Sequence, residues 1–463
     1  MSQDVVFKVY SNRYIPIKYI GRGTFSRVWL TYDIYDNKLK GMKCVFDEYK
    51  EDAIEELEKN KKITDKIDSM SLEANTTHLA KLSDNFEMSN GETCLVYDLY
   101  GVTLVQLLKV YDNILPLNIV KKITCDILTA LDILHSLDIA HTDLKPENIL
   151  TNIYTRGTLF YKNIFEKEYN FKVIYDKYLE EITPSNIESI DKKKKKKIKR
   201  TLRLKSAKKL AEYIESIIKK HIEVESNSFY ISHSNTTELN GASSLENLTL
   251  EDIESELISD DYDKKNNDYY TFSDYQKEIN LDKLTIESTI EAFLIDFGNS
   301  EHMTDKIQDQ ISVRCYRPPE NFLNSFFNEK CDIWSLGCII FELLTGNVLF
   351  EADIEDEQGI ERDRKYISKM VDILGRFPKN VWQKAEFKKD LFTKKGEVIN
   401  NELISELSVV SISELLVQNF DYNIDAANDI QTFLLLFLEY NYKNRINAGH
   451  ALKNKWLNEN TQY

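Results

Sequence analysis

His141-Thr142-Asp143-Leu144-Lys145-Pro146-Glu147-Asn148 places a carboxylate, an ammonium and a carboxamide at fixed offsets along one short stretch. In a loop of this spacing Asp143 would accept a hydroxyl proton, Lys145 would neutralise charge on a moving phosphoryl group, and Asn148 would ligate one Mg²⁺. A match of this length also arises by chance, so its reading depends on whether the chemically necessary partners occur in order elsewhere in the chain.

They do. Gly21-Arg22-Gly23-Thr24-Phe25-Ser26-Arg27-Val28 lies between the β-rich runs Tyr14–Ile20 and Val28–Tyr32. It reads as a hairpin whose glycines let backbone N–H groups approach the phosphates of ATP. Ser26 stands where a third glycine is usual. Met42-Lys43-Cys44-Val45 follows, with Lys43 placed to reach the α- and β-phosphates. Downstream, Ile295-Asp296-Phe297-Gly298 offers Asp296 as a second Mg²⁺ ligand, and Tyr316-Arg317-Pro318-Pro319-Glu320 fills the place of an Ala-Pro-Glu segment. These five ordered segments resemble the catalytic set of the protein kinases. The resemblance implies an α+β, bilobal fold with a small β-rich N-lobe and a larger helical C-lobe, with ATP and Mg²⁺ as cofactors.

The chain has 463 residues, 42% of them hydrophobic, enough for two lobes and an added segment. No run of 18 apolar residues occurs, and Met1-Ser2-Gln3-Asp4 lacks the basic and apolar regions of a signal peptide. An intracellular protein of cytoplasm and nucleus, without a membrane partner and monomeric, is the expectation. The six cysteines have no CxxC spacing, which suits reduced thiols rather than zinc. Net charge is −16, but residues 151–290, with 23 Lys/Arg and 25 Asp/Glu, carry only −2 of it. The remainder is strongly acidic, which favours a basic peptide over nucleic acid as substrate.

Asp143 and Asp296 are 153 residues apart, whereas a catalytic loop and a short hairpin need about 20. A long insertion must intervene. The segments are therefore expected to be an extension over 1–13, an N-lobe over 14–98, the C-lobe over 99–150 and 291–458 around an insertion at 151–290, and a tail at 459–463. From Asp191 to Lys209 the insertion has 12 Lys/Arg against one Asp, and from Ile222 to Glu291 it has 17 acids against four Lys. Such charge blocks predict a mostly disordered spacer whose removal over 160–285 leaves activity intact. Within it, Thr151–Glu181, rich in Tyr, Phe and Lys, has the composition of a helical stretch, Ser206–Lys220 has the spacing of a basic amphipathic helix, and Lys192–Lys197 is a polybasic run that fits a solvated spacer as well as nuclear import or RNA, although no nucleic acid is required for activity.

Elsewhere, a charged helix is expected over Asp52–Lys66, an apolar one over Leu117–Leu137 and another from Asp332. Tyr97-Asp98-Leu99 would be the hinge, where Asp98, Leu99 and Leu150 would border the nucleotide. Glu56 best matches the glutamate that pairs with Lys43, with Glu55 and Glu58 as alternatives. Gly41 stands where an alanine usually roofs the adenine.

More narrowly, the chain resembles the SR-protein kinases, which phosphorylate serines in Arg/Ser-rich proteins. The residues that carry this are Phe25-Ser26-Arg27-Val28-Trp29-Leu30, His141–Leu150, Gly298-Asn299, Arg314, Tyr316, Arg317 and Phe392-Thr393-Lys394-Lys395-Gly396, together with the position of the insertion. The resemblance implies that Arg314, Arg317 and Arg362 meet phosphoserine or substrate backbone. It also implies that acids following the Asp332 segment, among them Asp353, Glu355, Asp356, Glu357, Glu361 and Asp363, dock arginines by bidentate pairing. Thr142 replaces the arginine that receives an activation-segment phosphate, so constitutive activity is expected. LAMMER-type kinases are the alternative with the same catalytic loop but lack this insertion. A pseudokinase scaffold would require loss of Lys43, Asp143 or Asp296, all of which are intact, and an RNA-binding adaptor would leave the catalytic set unexplained.

Overall fold

The computed structural model describes residues 8–69, 74–185, 187–189, 191–234, 283–303, 311–326, 328–351, 359–399 and 410–458. They form two compact units, and the division does not follow chain order. One unit takes 8–53, 82–99 and the described insertion residues 157–234; the other takes 54–81, 100–156 and the described residues from 283 onward.

The first unit is built on β1 (Tyr14–Arg22), β2 (Ser26–Asp33), β3 (Lys38–Val45), β4 (Leu82–Glu87) and β5 (Thr93–Asp98), an antiparallel sheet in the order β1-β2-β3-β5-β4. The expected hairpin is β1–β2, closed where the Gly23 N–H donates to the Ser26 carbonyl at 2.8 Å. Side chains alternate across each strand. Met42 and Cys44 on β3, Cys94 and Val96 on β5 and Tyr14 on β1 form one small core. Leu30 and Tyr32 on β2 and Leu39 on β3 point to the opposite face, which they share with Val28, Gly41 and Lys43, and are fully or almost fully buried.

The insertion buries them: over its described residues 157–222 the expectation of a mostly disordered spacer does not hold. After α1 (Lys50–Ser69), α2 (Ala74–Thr77), α3 (Leu104–Val110) and α4 (Leu117–His135), the chain forms α5 (Arg156–Lys162), a π-helical turn (Asn163–Glu168), α6 (Phe171–Ile182) and α7 (Lys192–Ser234). Tyr161, Phe165, Phe171 and Tyr175 join Leu210, Ala211, Ile214 and Ile218 of α7 in one cluster with Ile15, Ile17, Leu30, Tyr32, Ile34 and Leu39 of the sheet. Tyr32 is gripped by two rings, Phe165 at 5.1 Å and Phe171 at 5.8 Å between centroids. The amphipathic spacing over Ser206–Lys220 thus marks a real helix, whose apolar stripe faces the sheet. Charge blocks misled because the aromatic residues that do the packing lie outside them, in 160–175. Residues 235–282, the acidic part of the spacer, lie outside the described residues, as does the tail 459–463.

The second unit is mainly helical. It comprises the remainder of α1, α2 to α4, the short strands β6 (Ile139–Ala140) and β7 (Ile149–Thr151), then α8 (Lys283–Thr289), β8 (Ala292–Leu294), β9 (Glu301–His302), α9 (Lys330–Thr345), α10 (Gly359–Leu374), α11 (Ile412–Phe420) and α12 (Ile424–Phe437). β7 pairs with β8 and β6 with β9, so the residues on either side of the insertion return to the same place. α9 is buried almost all round, from Cys331 to Thr345. An ion pair between Arg445 and Glu320, with two nitrogen–oxygen contacts of 2.7 and 2.9 Å, is closed off from water beneath it. Among the described residues no helix is long and apolar enough to cross a membrane.

Because Ile214 is fully buried in the cluster between insertion and sheet, Ile214→Ala is expected to cost about 2–5 kcal/mol. Removal of 157–222 would bare the sheet's apolar face and is expected to abolish soluble expression. Urea unfolding of the point variant checks the first, and a deletion protein with a wild-type midpoint would show that these helices are not part of the core.

Candidate active site

In the second unit the segment His141–Asn148 is held from below by one carboxylate. Asp332, in the first turn of α9, accepts the His141 N–H at 2.8 Å and the Thr142 N–H at 2.9 Å, and its Oδ2 lies 2.9 Å from His135 Nε2 at the end of α4. Burial alone would raise the Asp332 pKa. The hydrogen bond from His135, the charges of His135 and His141 and the backbone donor outweigh it and hold the carboxyl below its ordinary value. Thr142 consequently sits in the left-handed region, at φ 64°. Its Oγ1 donates to the Asn299 carbonyl at 2.5 Å, and Ser312 Oγ donates to the Thr142 carbonyl at 2.5 Å. The position expected to lack a phosphate-binding arginine is therefore a hydroxyl that ties the loop to the segments following Asp296.

Asp143, turned upward by this bracing, is 9% exposed. Lys145 Nζ approaches its Oδ2 at 2.7 Å, Asn148 Nδ2 donates to the same oxygen at 3.2 Å and to the Asp143 carbonyl at 2.9 Å, and Asn299 Nδ2 reaches Oδ2 at 3.4 Å. Three donors on one oxygen leave Oδ1 as the natural proton acceptor. Asn299 was not foreseen as part of this group; its place directly after Gly298 was the only signal.

Asn148 directs its amide nitrogen at Asp143, which turns its carbonyl oxygen the other way. The next turn brings Asp296 alongside, since the Ile295 N–H donates to the Asn148 carbonyl at 3.0 Å. Asp296 adopts φ 65°. Among the described residues no three His, Cys, Asp or Glu side chains converge as a metal site. A methyl added to Gly298 would lie 3.6 Å from Asp296 Oδ1 and 3.7 Å from Glu56 Oε2, so the Glu56 and Asp296 carboxylates flank the same glycine. Of the three candidate glutamates Glu56 is the buried one; Glu55 is exposed and paired with Lys59 at 2.7 Å, and Glu58 is exposed. Leu150, in β7, pairs with Phe293 and is half-buried.

The first unit carries the other predicted groups. Gly21 and Gly23 have ordinary backbone angles, and a Cβ on either would meet no atom closer than 3.5 Å. Neither a positive φ nor a close contact demands glycine at these two positions. Arg22, Thr24 and Phe25 are exposed, Phe25 resting edge-on against Tyr49, while Ser26 is buried. Lys43 and Val28 share a face and are cross-strand partners. A Cβ on Gly41 would lie 3.7 Å from the Asp98 carbonyl, ordinary contact. Asp98 receives Lys40 Nζ at 2.6 Å, and Leu99 packs against the insertion cluster.

The predicted substrate residues fall into two groups. Asp353, Glu355, Asp356 and Glu357 lie outside the described residues. Glu361, Arg362 and Asp363 are on the first turn of α10, where Asp363 Oδ1 pairs with Arg314 Nε at 3.2 Å and Glu361 is exposed near Arg364. Arg317 is buried, donating to the Ile311 and Ser312 carbonyls at 2.9 Å each. Burial first, and then the neighbouring charge of Arg314, lower its pKa to about 10. Among the described residues Arg362 Nε is buried without a hydrogen-bond partner. The charges of Arg314 and Arg362 both act on Arg317, and Asp363 opposes them.

The chain matches the family model described as "Protein kinase domain" over residues 14–160 and 281–457. Similar proteins include Protein kinase dsk1 of Schizosaccharomyces pombe, 26% identical over 97% of this chain and 81% of that protein. The putative serine/threonine-protein kinase L205 of Acanthamoeba polyphaga mimivirus is 28% identical over 97% of the chain and 88% of its own length. SRSF protein kinase 3 of Mus musculus is 25% identical over 97% and 87%.

Asp332→Ala would leave two backbone donors and a histidine without their acceptor, at an expected cost of about 3–5 kcal/mol near neutral pH. Since the folded-state pKa is depressed, the stabilisation by Asp332 is present above its unfolded value of about 3.9 and is lost as pH falls through the folded value. The wild-type advantage in urea unfolding should therefore narrow below about pH 4; a gap independent of pH would show that the charge of Asp332 is irrelevant.

Proposed function

The chain belongs to the protein kinase family and is a serine/threonine kinase; we propose that it is one of the SR-protein kinases and phosphorylates serines in Arg/Ser-rich proteins without prior activation. The observation that carries catalysis is the convergence of Lys145, Asn148 and Asn299 on one oxygen of a braced Asp143. Asp143 takes the proton from the serine hydroxyl as that oxygen forms its bond to the γ-phosphorus and the bond to the β-phosphate oxygen breaks, releasing ADP. Lys145 steadies the charge that builds on the transferred group. Asn148 and Asp296 would hold Mg²⁺, whose contribution when bound is neutralisation of phosphate charge. The glycines of the β1–β2 turn and Lys43 would receive the phosphates.

Independence from activation follows from Thr142. Its hydroxyl and carbonyl join the catalytic loop to Asn299 and Ser312 directly, so no phosphate is required to order this contact. Substrate choice is supported by the acidity outside the insertion and by the name of the mouse relative, which designates it a kinase of SRSF proteins. An exposed carboxylate at Glu361 would suit an arginine of the substrate.

Incubation with ATP, Mg²⁺ and either an Arg-Ser or a Lys-Ser repeat peptide tests the reading. Transfer to the Arg-Ser peptide is expected to dominate, and Asp143→Asn should lower turnover about 10²–10⁴-fold with ATP binding retained. Equal phosphorylation of both peptides would remove the arginine specificity and leave the kinase; no transfer to either would remove both.

A further inference from the structure

Over residues 192–200 the N-terminal half of α7 carries charge that, among the described residues, only Glu188 meets. Residues 206–218 bury their apolar side against the sheet, whereas Lys192, Lys193, Lys194, Lys196, Lys197 and Arg200 are all exposed. Among the described residues none of these six side chains has an ion-pair or hydrogen-bond partner. Only Lys195 and Lys199 of the run find one, both turning to Glu188. Within the helix, positions 192 and 196, 193 and 197, and 196 and 200 are like-charged neighbours one turn apart, which disfavours the helix by a few tenths of a kcal/mol each. Packing of the other half keeps the helix formed despite this repulsion.

We propose that this basic half of α7 binds the phosphate backbone of nucleic acid, without selecting bases. Each four-residue step along the helix advances about 6 Å, so the charges form a ladder along it rather than a single point. Five of the six are lysines, flexible point charges suited to diffuse contact with successive phosphates, where carboxylate partners favour the planar fork of arginine. The stretch 192–205 contains no aromatic residue on which a base could stack. A lipid surface fits less well, because an interfacial helix needs a free apolar face and Ile198, Leu202 and Leu204 are already partly covered. The overall charge of −16 does not cancel the ladder, because screening confines each field to about 8 Å at physiological salt.

The test is a titration of the full chain with a labelled 20-nucleotide poly(U) strand. If five or six phosphates are engaged, raising salt from 50 to 200 mM should weaken binding about 10²–10³-fold. Replacing the six residues by Gln, with Lys195 and Lys199 kept, should remove this salt-sensitive binding while helicity and peptide phosphorylation persist. Should that variant unfold, Lys196→Gln/Arg200→Gln decides instead, with an expected loss of about 1.4 from the slope of log K against log salt. Binding equal to wild type in either folded variant, or equal affinity for poly-Glu or for anionic vesicles, would overturn the proposal. The readout does not depend on catalysis, so it stands apart from the fate of the kinase assignment.

Discussion

Everything that could be catalytic in the second unit depends on the burial of one carboxylate. Asp332 is removed from water, which by itself costs several kcal/mol for a charged group, yet it remains ionised because three nitrogens converge on it. The geometry of those donors forces His141 and Thr142 to present successive N–H groups to one side, which a standard turn does not do. Thr142 reaches φ 64° as a result, a conformation that costs a non-glycine residue of order 1 kcal/mol and persists only where its surroundings over-determine it. The strain places Asp143 above the loop, and the hydroxyl of Thr142 then has one direction left, toward the Asn299 carbonyl.

The motif residues were legible in the sequence because their relations are local. Asp143, Lys145 and Asn148 are within five residues, and their mutual contacts follow from loop spacing. What could not be read is whatever rests on distant partners. The choice among Glu55, Glu56 and Glu58 is a question of helix rotation, and Glu56 is the one buried beside Gly298. The bond between His135 and Asp332 spans 197 residues, and neither residue carries a local mark of it. Arg317 was expected to face a substrate, but its guanidinium is enclosed and anchored on two carbonyls, a fate that its sequence neighbours do not reveal.

The insertion exposes a different limit. Block-wise charge is a sound sign of segments that cannot bury enough apolar area to order themselves, and it was applied to a segment that does not have to order itself. The sheet already presents Leu30, Tyr32, Ile34 and Leu39 on one face, and exposure of such a patch to water would be costly. Tyr161, Phe165, Phe171 and Tyr175 complete a core whose other half was paid for elsewhere in the chain. The Tyr- and Phe-rich composition of Thr151–Glu181 marks this stretch in the sequence, but not the sheet face it packs on.

Packing of α7 also explains how a self-repelling lysine run can be helical. A helix that begins with six consecutive lysines has no charge benefit at its N-terminus, where the dipole favours acids, and its like charges recur at one-turn spacing. Asp191 offsets part of this by accepting the Lys193 N–H at 3.0 Å. The larger contribution comes from cooperativity: once Leu210, Ile214 and Ile218 are fixed against the sheet, the nucleation cost has been met, and each residue added toward the N-terminus closes one more backbone bond. Lysine, with good intrinsic helix propensity, extends such a helix where serine or glycine would let it fray. The result is a helix whose position is set by apolar packing in one half and whose surface chemistry is set independently by the lysines of the other.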